Sequence, residues 1–385
     1  MTAIKLPTWL AGPSRPRRFL GRHQSLSVVL GMAVFTTLLP FIVVAPPFSG
    51  LSDQKDWIAS FADAGVYVLL ALGLNVVVGL AGLLDLGYAA FFAIGAYTYA
   101  YGASPFSHEH VVFWVMLLVG AAVAAMFGLL LGAPTLRLRG DYLAIVTLGF
   151  GEIVPVVFLN SDTYTNGTNG ITALYPPSVP IMGDFDILNP IPWYVTMVAI
   201  ITVAMILLYR LQDSRLGRAW MAIREDELAA ASMGINTVTT KLLAFSIGAS
   251  TSGLAGVYLS SKLALVSPNQ FSFVVSFTVL AMVVLGGMGN IWGVAAGAFV
   301  IYELLSQGLK GLDGLLHPIG AIHIGFINFD LTQVEFLNYQ FLLYGLALVG
   351  MMLLRPEGLF PSRRRRAELH DVDDAAAASQ ELVEA

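Results

Sequence analysis

The chain has 385 residues, of which 57% are hydrophobic and only 12% charged, and its mean hydropathy is +0.75. Soluble domains run at ~45–50% apolar and ~25% charged, so one aqueous core cannot absorb this excess and lipid must be part of the solvent. The lack of any Cys excludes a disulfide framework and a Cys-ligated metal, and the formal charge of -5 is local, because six acidic residues and no basic one follow Arg366.

Residues 1–24 form a basic segment, and an apolar run follows at 25–45. A cleaved leader is the rival reading of that start, but the run is longer than a signal peptide's apolar core. Nine further candidate spans follow at 61–80, 88–103, 112–132, 141–159, 191–209, 241–260, 272–288, 291–308 and 338–354. A crossing helix needs ~20 mostly apolar residues at ~1.5 Å each, so 88–103 is the weakest and reads equally as a re-entrant or broken helix. Backbone groups in lipid must be satisfied internally, and no segment alternates as a barrel strand does. The expected fold class is therefore an all-α polytopic membrane protein of about ten transmembrane helices.

With ten spans and both termini in the cytoplasm, seventeen of the 20 Lys and Arg fall on the cytoplasmic side. Lys55, Lys262 and Lys310 fall outside. That asymmetry is the positive-inside pattern, and an odd number of spans would spoil it. The organisation is then a basic N-terminal segment (1–24), a permeation domain (25–361) with its longest internal cytoplasmic loop at 210–240, and a basic-then-acidic tail (362–385). The loop at 160–190 has no Lys or Arg and carries "NGTNG" with several Pro, which is turn chemistry; Asn166-Gly167-Thr168 reads as a Gly turn before it reads as a glycosylation sequon. The two halves, split near 190, hold five spans each, so any internal repeat would be inverted, though the halves show no convincing alignment.

Catalytic and nucleotide-binding patterns are missing. There is no G-x-x-x-x-G-K-[ST], no H-E-x-x-H, no G-x-S-x-G, and no metal-ligand spacing among the six His. If ATP drives this protein, another subunit binds it. Small residues recur at helix spacing at Gly79 and Gly82, Ala121 and Ala125, Ser250 to Gly256, and Gly286 to Gly289, which suits close helix packing or a moving interface. Glu152 and Glu303 lie inside spans, where a charge costs at least ~2.5–3.5 kcal/mol, so each belongs either to a pathway or to a polar lock between helices. Pro155 frees backbone carbonyls one turn before it in the Glu152 helix. Asn75 and Asp85 flank the break "GLAGLLDLG" and raise the same choice, with Asp85 expected at an exposed cytoplasmic end.

The loop 210–240 contains "AIREDELAAASMGI". Strong helix formers precede Gly234, a natural stop, and the run suits either a solvated connector or a short helix that docks on another protein. "EDELAAASMGI" resembles the EAA motif of ABC-importer permeases, here Glu227, Ala229, Ala230 and Gly234. "GRAWMAIREDELAAASMGIN", "GLNVVVGLAGLLDLGYAAFFAIGAYTYA", "LRGDYLAIVTLGFGEIV", "NGTNGI", "VVLGGMGNIWGV" and "LRPEGLFP" are similar to the LivM-type branched-chain amino-acid permeases from about residue 61 to 361. One departure is Pro155, where the family often has a basic residue after "GEIV", so no Glu152–Arg pair forms within that helix.

The resemblance implies an ABC-importer permease fold in a bacterial inner membrane. It implies a non-catalytic subunit without a cofactor of its own, paired with a second permease, two cytoplasmic ATPases that hold ATP and Mg²⁺, and a periplasmic or lipid-anchored binding protein that delivers Leu, Ile or Val; nothing points to nucleic acid. It places ATPase docking on Arg224, Glu225, Asp226, Glu227, Ala229, Ala230 and Gly234, and leaves Asn75, Asp85, Glu152 and Glu303 as pathway candidates. Urea and short-amide importers use closely similar permeases. A stand-alone ion-coupled carrier using Glu152 and Glu303 is the alternative outside the family.

Overall fold

The computed structural model describes residues 54–135, 141–179, 183–186, 188–316, 321–324, 327–330, 339–354 and 358–360. The N-terminal basic segment, the first expected span and the acidic tail lie outside the described residues. The major helices are α1 (Gln54–Leu74), α2 (Tyr88–Gly102), α3 (Phe113–Thr135), α4 (Asp141–Leu159), α5 (Pro190–Gln212), α6 (Arg215–Glu225), α7 (Glu227–Ser232), α8 (Thr237–Leu263), α9 (Phe273–Gly286), α10 (Ile291–Leu316) and α11 (Gln340–Leu354).

Seven helices among the described residues are long and apolar enough to cross a bilayer; they match the expected spans that start at 61, 112, 141, 191, 241, 272 and 291. The last apolar helix, α11, is shorter. The segment expected at 88–103 is α2, only 15 residues long. At ~1.5 Å per residue it falls well short of a ~30 Å hydrocarbon core. Its side chains are nonetheless nearly all buried, so it is a protein-clad helix at the centre of the bundle and not a lipid-facing span.

That centre is built by removing side chains. The α2, α3 and α8 helices pack together, and α1 lies against α5, α8 and α10. An added Cβ on Gly95 of α2 would sit 2.4 Å from the Gly253 carbonyl of α8, and one on Gly256 would sit 2.3 Å from the Phe92 carbonyl. In the same way a Cβ on Gly253 would meet the Ala124 methyl at 2.6 Å. The buried face of α3 therefore runs through Gly120, Ala124 and Gly128, while Ala121 and Ala125 are only half-buried. The sequence pattern points to the small-residue helix but sets the register one residue off. Backbone-to-backbone contact of this kind replaces the hydrophobic drive that lipid does not supply.

Three side-chain caps in quick succession shape the segment after α5. Ser214 accepts from Leu216 N and Gly217 N, Asp226 from Leu228 N and Ala229 N, and Asn236 from Thr239 N. Each satisfies orphan donors at a helix start, so the chain turns sharply twice and yields two short helices, α6 and α7, instead of one long connector. Trp220 of α6 is fully buried and donates its indole N–H to the Thr240 carbonyl at 2.7 Å, which fixes α6 against the start of α8. In the polar loop, Asn166 (φ 58°) and Gly167 (φ 51°) sit in left-handed conformations, which is the Gly turn expected from "NGTNG". Just beyond that turn, Ile171–Thr172 pairs with Leu265–Val266 and ties the loop to the end of α8.

Candidate functional site

The α6–α7 unit is the best-built polar feature of the described chain. Helix α7 ends in a Schellman motif: Ile235 N donates to Ala230 O at 3.1 Å and Gly234 N to Ala231 O at 3.0 Å. Gly234 takes φ +86° with nothing within 4 Å of a would-be Cβ, so glycine is there for backbone conformation and not for close approach.

Most of the residues expected to dock also hold this unit together. Asp226 is the α7 cap. Glu227 pairs with Lys241 of α8 at 2.5 Å, where the lysine side chain is only 8% exposed. Ala230 is buried within the chain, and Arg224 points into the bundle. Facing outward are Glu225 and Ala229, together with two residues that the sequence pattern did not single out, Leu228 (69% exposed) and Met233 (84% exposed). The signal for those two was available: they are the large apolar side chains of a short capped segment rich in small residues, of which only Ala230 faces inward. Isolated exposed apolar residues are ordinary on a soluble surface. Here one lies on α7 and the other at its C-terminal end, in a segment held by caps and an ion pair.

Arg224 enters a second feature, where α1 breaks. Residues Asn75–Leu80 are a π-helical turn. The chain then runs without helix through Gly82 (φ +70°) to α2. Asn75 is buried and its Oδ1 accepts Gly289 N at 2.8 Å, so the break in α1 meets the glycine loop between α9 and α10. The two Gly-rich breaks occupy non-equivalent spans in the sequence and are adjacent in space. A π-turn of this kind recurs at functional positions.

Asp85 departs from expectation. It is 1% exposed, not at a solvated end. Its Oδ1 accepts Gly87 N at 2.9 Å, just ahead of α2, and Leu86 N donates to the Thr147 hydroxyl of α4 at 3.1 Å, which places the break at the middle of α4. The other carboxylate oxygen has no partner among the described residues. A water-sized cavity adjoins it, lined also by Thr135, Thr147 and Phe245. Glu152 lies one residue past Gly151, which packs on Gly87, but its own side chain is exposed on the outer face of α4.

Glu303 is elsewhere. It accepts from the Ser60 hydroxyl at 3.0 Å and lies ~20 Å along α10 from the break, beside the Lys262–Asp63 ion pair (2.6 Å) that joins α8 to α1. Its placement is that of a polar lock between α1 and α10. Ser60 does not stand out in an apolar run until its partner is known, whereas Asp63 is an acid inside the expected span 61–80 and the criterion that picked out Glu152 and Glu303 applies to it equally. Among the described residues no group of acids and His could hold a metal.

Residues 58–354 match the family model described as the permease component of branched-chain amino acid transport systems. The chain belongs to this family. The high-affinity branched-chain amino acid transport system permease protein LivM of Salmonella typhimurium is 38% identical over 357 residues, covering 87% of this chain and 76% of that protein. LivM of Escherichia coli is equally similar, at 38% over 357 residues. LivH, a high-affinity branched-chain amino acid transport system permease protein of Salmonella typhimurium, is 23% identical over 61% of this permease and 79% of its own length. No solved structure matches the permease. The resemblance read from "EDELAAASMGI" and its companion motifs is thereby borne out.

Proposed function

We propose that this permease is the translocation subunit of an ATP-driven importer for branched-chain amino acids. It would work beside a second, related permease, with two cytoplasmic ABC ATPases and an external binding protein that delivers Leu, Ile or Val. The observation that carries the reading is α7. It is a capped, ion-paired helix that presents Leu228 and Met233 outward in a chain with no phosphate-binding motif of its own. A rigid helix with a small apolar face suits a groove in a partner. ATP and Mg²⁺ belong to that partner, and this chain is non-catalytic and carries no cofactor.

The membrane arrangement proposed is ten spans with both termini cytoplasmic, in a bacterial inner membrane, which keeps α6–α7 on the ATPase side. Glu152 supplies the second argument. A carboxylate exposed near the middle of α4 is too costly to leave in lipid. The α4 face that bears it therefore turns toward the paired permease and the pathway between them. Asn75 and Asp85 then belong to the inner end of that route, where the helical backbone is broken. Glu303 belongs to the scaffold end. Selectivity rests with the binding protein, since nothing in the described spans is shaped to an isobutyl side chain.

Purification of the tagged permease from its host, followed by proteoliposome uptake of labelled leucine, tests this. Expected are co-purifying ATPases and uptake that needs ATP and the binding protein. Uptake by this chain alone under a proton or sodium gradient would overturn the reading, and a binding protein that takes urea or short amides would overturn the substrate.

A further inference from the structure

Helix α1 ends without the backbone donors that would finish it. Leu83 N returns to the Val77 carbonyl and Ala81 N to Val76, so the turn closes wide. The Gly79 carbonyl is left facing away from the ladder. Arg224 answers it: Nη1 donates to Gly79 O at 2.6 Å. A cation is the right group there, because the C-terminal end of a helix is its negative pole and its last carbonyls are orphans.

The fit is close on both sides. A Cβ on Gly82 would lie 2.8 Å from Arg224 Cγ, and one on Gly289 would lie 3.4 Å from Arg224 Nη1. Gly289 is the residue whose N–H is held by Asn75. One guanidinium thus stands where both glycine breaks meet, and its own Cα is two residues before the cap of α7.

We infer that Arg224 is a positioning residue that straps the ATPase-docking helix to the two helix breaks, so that displacement of α7 is transmitted to the backbone at 79–82 and 287–289. This rests on the docking reading of α7. The device needs arginine specifically. Its planar fork sets Nη1 against the carbonyl with further donors beside it, whereas lysine offers a point charge of no fixed orientation; the Cβ and Cγ beside Gly82 are common to both side chains, so the exchange changes the head group alone. It also accounts for the lack of a side chain at Gly82, where a Cβ would meet Arg224, and at Gly79, where one would meet the Asn75 amide oxygen, while Gly289 is set by its own φ of +81°.

The test uses the complete transporter, with ATPases and binding protein, reconstituted with Arg224→Lys and, should that variant not insert, Arg224→Gln. Two quantities are read: leucine taken up per ATP hydrolysed, and amide exchange at 76–84 with and without vanadate-trapped nucleotide. The strap predicts that ATPases still co-purify and ATP turnover continues, that uptake per ATP falls about tenfold, and that the nucleotide-dependent change in exchange at 76–84 disappears. Uptake per ATP within about twofold of the unsubstituted protein, or an exchange change that persists, overturns it. Loss of the ATPases on Arg224→Lys also overturns it, by making Arg224 part of the docking surface. If the unsubstituted permease itself retains no ATPase, the docking reading fails and takes the strap with it, a result distinguishable because it precedes any substitution.

Discussion

Gly234 offers a clean separation of backbone from contact. Its φ of +86° is a left-handed conformation, and the space where a side chain would start is empty to 4 Å. Replacing it therefore introduces no clash within the permease and changes only the backbone term. For an L-residue other than Asn or Asp that term is ~1–2 kcal/mol. Helix α7 has six residues and a single Schellman closure, so a penalty of that size falls on the population of the closed helix. At ~1.4 kcal/mol per factor of ten, Gly234→Ala should weaken ATPase association about tenfold, Gly234→Val more, and Gly234→Asn only slightly, since Asn tolerates the left-handed region. The assay is titration of purified ATPase onto the permease in nanodiscs, with membrane insertion as control. An order set by side-chain size, with Asn as damaging as Val, would refute the backbone argument. It would mean instead that the ATPase approaches Gly234 itself.

Other outcomes follow from the same geometry. Leu228→Asp and Met233→Asp should each weaken ATPase binding about tenfold or more while insertion is unchanged, because each forfeits ~1.5–3 kcal/mol of burial on docking; unchanged binding by both variants removes the proposed face. Ala230→Glu acts differently, since Ala230 is 4% exposed within the chain; it should lower the melting temperature of the isolated permease before any partner is added. Asp85→Ala strands the buried Gly87 N–H and should cost ~1–3 kcal/mol in thermal stability, whereas Asp85→Asn keeps an acceptor and should lie close to the unsubstituted protein. Gly95→Ala should destabilise by ~1–3 kcal/mol through overpacking, and Gly149→Ala, with nothing within 4 Å, should be neutral or slightly stabilising in the isolated chain. Identical melting temperatures for those two alanines would refute the close packing of α2 on α8.

Sequence patterns carried the gross architecture because hydropathy and helix length are local properties. The spans at 112, 141, 191 and 241 needed only their apolar runs, and the helical run ending at Gly234 needed only its helix formers, though these do not show its division at Asp226 into α6 and α7. What escaped was set by partners far along the chain. Asp85 reads as an exposed loop acid until Thr147 and Phe245 close over it. Ala124 and Ala125 are indistinguishable in composition, and only Gly253 decides which one faces inward. The charged run at 224–227 suited either a solvated connector or a docking helix. In the structure Arg224, Asp226 and Glu227 each have a separate partner, at Gly79, at the α7 amides and at Lys241.

The backbone contact among α2, α3 and α8 has a consequence for how such a permease adapts. Where Gly95, Gly253 and Gly256 leave no volume for a side chain, the central block has nothing to exchange when a lineage meets a new solute. Variation must accumulate on surfaces that still carry side chains, foremost the exposed face of α4 around Glu152. A scaffold this tightly closed keeps its shape while its cargo changes, and shape alone is then a poor guide to the solute.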